Sequence, residues 1–313
     1  MKKASYYFWA TTILLLSTNF SHSQGIVDGF FSEKASLSLT ASYLYSSYED
    51  FYVGETSTSP VPAHTEIDQN IFTLYGKYGI TNDFTVVANV PYISAEGNGM
   101  PDPVNGETEI SGFQDISLLG KYRPHRLSVG EGHLDFITAL GFTIPTGYEN
   151  NGILSLGTGS FTVDPYLGLH LMADMGLFTT LTGGYSFRGN AENKLEVGNG
   201  GDFDVPNALL LSAKLGYATN FLYVETWMDH QSSSDDGIDI MGPGFAGNFP
   251  ETRVDYTRIG ITVYAPITQL LGLSAGYGNT VDGRNIGDPN YFYTGLTFSF
   301  NNSNPSNTQS ITQ

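Results

Sequence analysis

The sequence predicts an all-β fold, an antiparallel up-and-down transmembrane β-barrel of about twelve strands. Three observations predict it: apolar and polar residues alternate with a period of two, short and long connections between the alternating segments follow one another, and charged residues fall on one side of the alternation. Such alternation is the pattern of strands with one apolar face. About 9 to 11 residues are enough for a tilted strand to cross a bilayer.

The N-terminus is predicted to be a secretory signal peptide. Lys2 and Lys3 precede a mostly apolar run over 6–16, and small and polar residues follow up to Gln24. This is the order of a cleaved signal, and the run is shorter than the roughly 20 residues of a spanning helix. We expect residues 1–23 to be the signal, 24–300 to form the barrel, and 301–313 to be a polar flexible tail.

The alternation recurs along the whole chain after this signal. In the first segment Leu37, Leu39 and Ala41 alternate with small polar residues. The predicted strands are 35–46, 70–80, 84–94, 113–123, 133–144, 161–172, 177–188, 207–217, 221–230, 254–265, 270–280 and 291–300. The last one alternates aromatic residues and closes on Phe300, similar to the C-terminal signal of outer-membrane barrels, so we expect the barrel-assembly machinery as a partner during biogenesis.

Connection lengths give an independent signal. Short links fall at 81–83, 124–131, 173–176, 218–220 and 266–269, and long ones at 47–67, 95–112, 145–160, 189–206, 231–253 and 281–290. Outer-membrane barrels have short periplasmic turns and long outer loops. The interleaving therefore places both ends of the barrel in the periplasm and predicts the outer membrane of a Gram-negative bacterium as the location.

Charge distinguishes this barrel from a soluble one, whose exterior is polar. The inward parity carries Lys77, Asp115, Lys121, Arg123, Asp135, Asp164, Arg188, Lys214, Glu225, Asp229 and Arg258, and the opposite parity is apolar. We therefore expect charge inside and lipid outside. The formal net charge of -18 excludes a basic surface for nucleic acid, and the absence of cysteine excludes disulfides and thiolate metal sites.

The lumen is the predicted place of solute contact, because aromatic faces bind flat solutes while adjacent charges orient them. The candidate lining residues are Tyr75, Lys77, Asp115, Lys121, Arg123, Asp164, Tyr166, His170, Arg188, Lys214, Tyr223, Glu225, Trp227 and Arg258. The alternative is that these nearly balanced charges pair with one another and fill the lumen.

A set of motifs in the middle of the chain carries a family resemblance. They are Tyr78-Gly79-Ile80-Thr81-Asn82-Asp83, Asn89-Val90-Pro91-Tyr92, Lys121-Tyr122-Arg123, Pro145-Thr146-Gly147, Leu156-Gly157-Thr158-Gly159-Ser160 and Gly184-Tyr185-Ser186-Phe187-Arg188-Gly189. Over roughly residues 68–300 the chain resembles the outer-membrane proteins grouped as the phenol meta-degradation pathway family. The resemblance implies a barrel that admits aromatic or other hydrophobic compounds by diffusion. It implies no binding residues, and no cofactor is expected.

Two other functions stay open from the sequence. His230 and Ser232 form a lipid-facing His-x-Ser pair similar to that of outer-membrane acyl hydrolases, with Asp255 on the neighbouring strand to orient the histidine. A non-conducting structural or adhesive barrel is the third class, since the long loops are acidic and face lipopolysaccharide. Within these loops, Asp235, Asp236 and Asp239 are weak calcium candidates.

Overall fold

The chain forms a closed antiparallel β-barrel in a computed structural model that describes residues 27–102, 105–148, 152–193 and 201–300. The predicted signal peptide at 1–23 and tail at 301–313 lie outside the described residues. The strands are β1 (Leu37–Tyr48), β2 (Phe51–Val53), β3 (Thr56–Thr58), β4 (His64–Thr81), β5 (Phe84–Gly99), β6 (Glu109–Phe113), β7 (Ile116–Ser128), β8 (Gly132–Ile144), β9 (Thr162–Ala173), β10 (Leu177–Arg188), β11 (Asn190–Asn193), β12 (Gly201–Asp204), β13 (Ala208–Ala218), β14 (Tyr223–Ser233), β15 (Asp255–Pro266), β16 (Leu271–Arg284) and β17 (Asn290–Phe300).

Twelve of these strands form the barrel wall, namely β1, β4, β5, β7, β8, β9, β10, β13, β14, β15, β16 and β17. Each pairs with its neighbours along the chain, and β1 pairs with β17 in the register Leu37↔Phe300. Every wall strand therefore has two partners, which satisfies the backbone polar groups inside a bilayer. The prediction of an up-and-down barrel of twelve strands is confirmed.

The two faces of the wall differ as the alternation predicts. On β17 the side chains of Phe292, Leu296 and Phe298 are exposed, whereas Tyr291 and Tyr293 are buried in the lumen. The same division holds along the other wall strands, where large apolar residues cover the outside. No helix in the described part of the chain is long and apolar enough to span a bilayer. The outer surface is thus an apolar belt suited to lipid.

Several predicted boundaries are wrong. The strand predicted at 113–123 begins at Ile116, because Gln114 and Asp115 leave the ladder between β6 and β7. The link predicted at 124–131 is only 129–131, since β7 continues to Ser128 past a register shift near Pro124, which has no N–H to donate. The first strands also extend beyond the predicted ends, and β4 has 18 residues.

The long loops fold over the outer end of the barrel. They contain two short hairpins, β2 with β3 and β11 with β12, and a 3-10 turn at Phe249–Glu251. A buried apolar cluster joins these loops to the outer ends of β4 and β5: Phe51, Val61, Ile67, Ala95, Leu154 and Ile240. We call this layer the loop cap. Because its core is apolar, the loops form a packed lid over the barrel's outer opening.

The segment before β1 enters the lumen from the opposite end, which the sequence analysis did not predict. Lys34 N donates to Asn82 Oδ1 at a short turn, Ser32 N donates to Thr85 Oγ1 further along the wall, and Val27 is buried among apolar wall residues deeper inside. Short turns mark the periplasmic end of such barrels. Residues 27–36, which we call the N-terminal plug, therefore occupy the periplasmic half of the lumen.

Candidate functional site in the barrel lumen

The N-terminal plug is fixed by one carboxylate and two wall lysines. Lys77 Nζ donates to Asp28 Oδ2 at 3.0 Å and Lys121 Nζ donates to Asp28 Oδ1 at 2.7 Å. Both ammonium groups also donate to the carbonyl oxygen of Phe30, at 2.7 and 2.9 Å. Lys77, Lys121 and Asp28 are at most 3% exposed. Two buried cations thus depend on the plug for their anion.

Aromatic contacts fill the space around this ion cluster. The ring of Phe30 meets the rings of His170, Phe178 and Tyr223 edge-on at centroid distances of 4.7, 5.1 and 5.9 Å. Gly29 lies so close to the wall that an added Cβ would be 1.9 Å from His170 Nδ1. The plug therefore fits the lumen closely at this level and leaves no room for a side chain at position 29.

A group of ion pairs lies at the periplasmic rim where β5, β7 and β8 meet. Arg123 donates to Asp83 at 2.6 Å and to Asp135 at 3.1 Å, and Arg126 donates to Asp135 at 2.6 Å. The Arg123 guanidinium also lies over the ring of Phe31, 4.9 Å from its centroid. In this half of the barrel Arg123 and Asp135 are two of the predicted inward charges and pair with each other, whereas Lys77 and Lys121 pair with Asp28 of the plug.

The outer half of the lumen contains a cavity of about 580 Å³ between the plug region and the loop cap. Its lining includes Leu44, Ile71 and Ile93 on one side and Trp227 and Tyr291 at the base. The indole and phenol rings stack with centroids 6.3 Å apart and an interplanar angle of 24°. Small-molecule pockets typically measure about 300–1,000 Å³ and are mostly apolar with a few polar groups. This cavity has the size and surface of a solute site.

Charged residues of the cavity come from β10, β14 and β15. Arg188 donates to the neutral oxygens of Gln231 at 2.9 Å and Pro206 at 3.3 Å. Arg258 lies over the ring of Tyr256, 4.2 Å from its centroid, and its Nε finds no hydrogen-bond acceptor within the described ranges. The guanidinium groups of the cavity therefore differ from those of the rim, which are held by carboxylates.

The predicted lining residues thus divide between the two halves. The plug region contains Tyr75, Lys77, Lys121, Arg123, His170 and Tyr223, the cavity contains Arg188, Trp227 and Arg258, and Asp164, Tyr166, Lys214 and Glu225 lie buried or half-buried on inward positions of the wall. The strand position predicted for Asp115 is wrong, because this residue lies in the break between β6 and β7.

At this break Asp115 binds a loop. Tyr148 OH donates to Asp115 Oδ1 at 2.6 Å and accepts from Gly159 N at 2.9 Å, and Gln114 Nε2 donates to the carbonyl of Leu156. Burial, together with the Asp115 carboxylate, raises the pKa of Tyr148. The Pro-Thr-Gly and Leu-Gly-Thr-Gly motifs are therefore assembled around one break in the wall, where they fix the loop at its outer side.

Two of the three calcium candidates in the outer loops are paired with arginines. Arg284 donates to both carboxylate oxygens of Asp239, at 2.7 and 2.8 Å, and Arg253 donates to Asp235 at 2.5 Å. Hydrogen bonding from Arg284 lowers the pKa of Asp239. The calcium candidates Asp235, Asp236 and Asp239 do not converge, and the described ranges contain no group of three potential metal ligands. The three carboxylates do not converge because Asp235 and Asp239 bind different arginines and Asp236 binds Ser234.

The proposed hydrolase triad is not assembled as the strand spacing suggested. His230 Nδ1 lies 2.9 Å from Thr257 Oγ1, whereas Asp255 accepts hydrogen bonds from the backbone of Ser233 and from Arg253 Nε. In the described part of the chain no hydrogen bond joins His230 to Ser232 or to Asp255. The aspartate is committed to Arg253 at 2.9 Å and does not orient the imidazole.

Sequence reasoning missed the N-terminal plug and the loop cap that covers the cavity. Asp28 and Phe30 precede the first alternating segment, and Ile240 and Phe249 lie in a loop, so none of them carried a strand signal. One signal was available for the plug. The stretch from Ile26 to Phe31 is almost wholly apolar around a single acid, which is unusual for a solvated leader.

Comparison with known proteins agrees with this architecture. The family model described as "Putative MetA-pathway of phenol degradation" matches residues 50–300. Among solved structures, the COG4313 outer membrane channel from Pseudomonas putida F1 is similar with a TM-score of 0.69 at 15% identity, covering 90% of this chain and 100% of that one.

Two other solved barrels resemble the chain less closely. The NanC porin has a TM-score of 0.46 at 12% identity, covering 84% of this chain and 98% of that one. The CymD monoaromatic hydrocarbon channel has a TM-score of 0.41 at 7% identity, covering 86% of this chain and 88% of that one. Among curated proteins, none matches the sequence. The similarity to the COG4313 channel shows a shared fold.

Proposed function

The chain belongs to the family described as the putative MetA-pathway of phenol degradation, and from this premise we propose that it is an outer-membrane channel for small hydrophobic or aromatic solutes. The family model spans most of the chain, as the motif resemblance led us to expect. The closed barrel with its apolar outer belt is built for the outer membrane of a Gram-negative bacterium. The solved COG4313 protein of the same fold is described as an outer membrane channel.

The observation that carries the proposal is the cavity of about 580 Å³ inside the barrel. It combines an apolar wall with the stacked rings of Trp227 and Tyr291, which suits a flat solute that leaves water for an apolar surface. The loop cap lies on its outer side and the N-terminal plug on its periplasmic side. Passage therefore consists of entry past the cap, residence in the cavity and exit when the plug moves aside.

Flux into liposomes tests this proposal. The purified full chain is reconstituted, and uptake of neutral benzamide is compared with that of empty vesicles and of vesicles containing a filled eight-stranded barrel of similar apolar belt. We expect faster uptake only with this chain, with saturation at high solute because the cavity holds few molecules. Uptake no faster than in both controls would exclude the channel.

We do not expect the protein to hydrolyse lipid acyl chains. Catalysis by Ser232 needs a histidine oriented toward its hydroxyl, and the His230 ring is hydrogen-bonded to Thr257 instead. The purified chain is expected to release no fatty acid from phospholipid or lipid A, and release that disappears in Ser232→Ala would reverse this conclusion.

The remaining partners follow from the surface. We expect outer-membrane lipid around the apolar belt, lipopolysaccharide beside the acidic loops, and the barrel-assembly machinery to act on the β17 end during biogenesis. The structural or adhesive alternative would use the same acidic loops without transport, and the flux experiment separates it from the channel.

A further inference from the structure

The cavity in the outer lumen has two unlike walls. Leu44, Ile71 and Ile93 line it from β1, β4 and β5, whereas Arg188, Asp229 and Arg258 line it from β10, β14 and β15. In the order of the twelve wall strands these two groups lie on opposite sides of the barrel. A solute held between them has an apolar end and a polar end.

The polar wall carries an excess of positive charge. Its lining residues include two guanidinium groups and one carboxylate. Asp164 on β9 is a further buried carboxylate, but it does not line the cavity. The chain has six arginines, and four of them, Arg123, Arg126, Arg253 and Arg284, form ion pairs. Within the described ranges the two without an ion pair are Arg188 and Arg258, and both face this cavity.

The bonding of these two arginines shows where an anion is missing. Among the described residues Arg188 donates to neutral oxygens, those of Ser186, Pro206 and Gln231. The Nε of Arg258 is buried and has no acceptor in the described part of the chain. A buried donor without a partner is unfavourable. Arg258 lines the cavity, and the planar fork of a guanidinium matches the two oxygens of a carboxylate.

Aromatic groups beside the guanidinium indicate what the anion is attached to. Tyr256 lies under Arg258 with 4.2 Å between guanidinium carbon and ring centroid, and Trp227 and Tyr291 are stacked nearby. Flat rings of this kind prefer a flat apolar partner in offset or edge contact. The ring of such a solute would extend toward the apolar wall while its charged group stays at the arginines.

We propose that the cavity is a binding site for aromatic monocarboxylates, with Arg258 and Arg188 receiving the carboxylate and the apolar wall and Trp227 receiving the ring. Asp229 limits the site to a single negative charge, because a second anionic group would meet its carboxylate. This inference deepens the proposed channel function and rests on it for its meaning in transport, although binding itself is measured without transport.

The chain supplies its own reporter for the test. It contains two tryptophans, Trp9 in the predicted signal and Trp227 in the cavity. In Trp9→Phe of the full chain, refolded in detergent, tryptophan fluorescence therefore reports on the cavity alone. The probes are benzoate, its neutral isostere benzamide and the cation benzylamine, each titrated under the same conditions.

We expect benzoate to bind at least about tenfold more tightly than benzamide, because hydrogen bonds to charged groups are the stronger kind. Arg258→Gln should reduce the difference to about threefold or less, because benzoate loses more from removal of the guanidinium than benzamide does. The matched control is Arg126→Gln, which removes an arginine paired with Asp135 at the rim and should keep the preference. Asp229→Asn should tighten benzoate binding severalfold, which serves as the test if Arg258→Gln does not fold.

Equal binding of benzoate and benzamide, tighter binding of benzylamine, or a preference that survives Arg258→Gln would overturn the inference. The flux experiment distinguishes failure of this inference from failure of the proposed channel function. Benzamide flux without a benzoate preference means a channel with a different solute class. A benzoate preference without flux of any solute means a binding site in a barrel that does not conduct.

Discussion

The periplasmic and outer halves of the lumen have the same kind of wall but differ in how their charges are satisfied. In the periplasmic half Lys77 and Lys121 share the carboxylate of Asp28, which the chain's own N-terminal plug brings in. In the outer half Arg188 and Arg258 have no carboxylate partner among the described residues, and a cavity lies in front of them. The N-terminal plug fills the periplasmic half, and the outer half keeps the cavity in which we propose that a solute binds.

The difference shows that inward charge alone does not identify a binding site in a barrel. Charged groups in a low-dielectric interior need partners. A charged group that is already paired with another residue of the chain is not available to bind a solute. Binding capacity is therefore expected where inward polar groups remain unpaired. Three changes test this difference: removing the anion that Lys77 and Lys121 share, displacing the plug sterically, and opening the loop cap above the cavity.

The largest effect is expected from Asp28→Asn. Removing one partner of a buried ion pair costs about 3–5 kcal/mol, and here two buried lysines lose their anion together. We expect the plug to leave the periplasmic half, so that planar-bilayer recordings show a stepwise rise in conductance over the wild type. Asp83→Asn is the control, since Asp83 is a rim carboxylate with 55% of its side chain exposed, and exposed pairs contribute about 0–1 kcal/mol. Equal conductance in Asp28→Asn and wild type would mean that the plug is held by other contacts.

A smaller effect is expected from Gly29→Ala, which adds one methyl group against the wall. Its Cβ would lie 1.9 Å from His170 Nδ1, and overpacking of this kind costs about 1–3 kcal/mol. Conductance should rise as in Asp28→Asn but with more frequent closing. The double variant Gly29→Ala with His170→Ala should return toward the wild-type trace, because the space is restored. If the double variant conducts as much as Gly29→Ala, the clash with His170 is not the cause.

Much of the wall could be predicted from the sequence, and the physical reason is the period of two. A strand between lipid and lumen must alternate, so residues such as Phe292 and Tyr293 reveal their sides without further information. Lys77, Lys121 and Arg258 were assigned to the inward side for the same reason. The errors fall where the ladder is interrupted, at Gln114 and Asp115, because a side chain that binds a loop is outside the alternation.

The division of the lumen into a filled and an open half could not be predicted in this way. Which anion meets Lys121 depends on a contact with Asp28, 93 residues away in the chain, and no local pattern encodes it. The same holds for the cap, where Asp239 reaches Arg284 across 45 residues. The sequence also predicted that Asp255 lies on the strand next to His230, and β14 and β15 are neighbours. The carboxylate of Asp255, however, is bound to Arg253.

The smallest effect is expected from acid acting on the loop cap above the cavity. The Arg284 hydrogen bond lowers the pKa of Asp239 from its ordinary value of 3.8. A carboxylate with a depressed pKa in the folded chain contributes stability that is complete above its unfolded value and is lost as pH falls through the lower folded value. The cap should therefore stay closed at neutral pH and loosen only below about pH 4.

Protease cleavage within 234–254, followed from pH 5 downward with an acid-tolerant protease, measures this loosening. Asp239→Asn should give the acid cleavage rate already at pH 5, because the amide keeps the shape but loses the charge that holds Arg284. Asp236→Asn is the matched control, since Asp236 binds Ser234 rather than an arginine, and it should leave the pH profile of the wild type unchanged. If Asp239→Asn and Asp236→Asn behaved alike, the Asp239–Arg284 pair would have no part in closing the cap. The apolar cluster of Phe51 and Leu154 would then be sufficient to hold it.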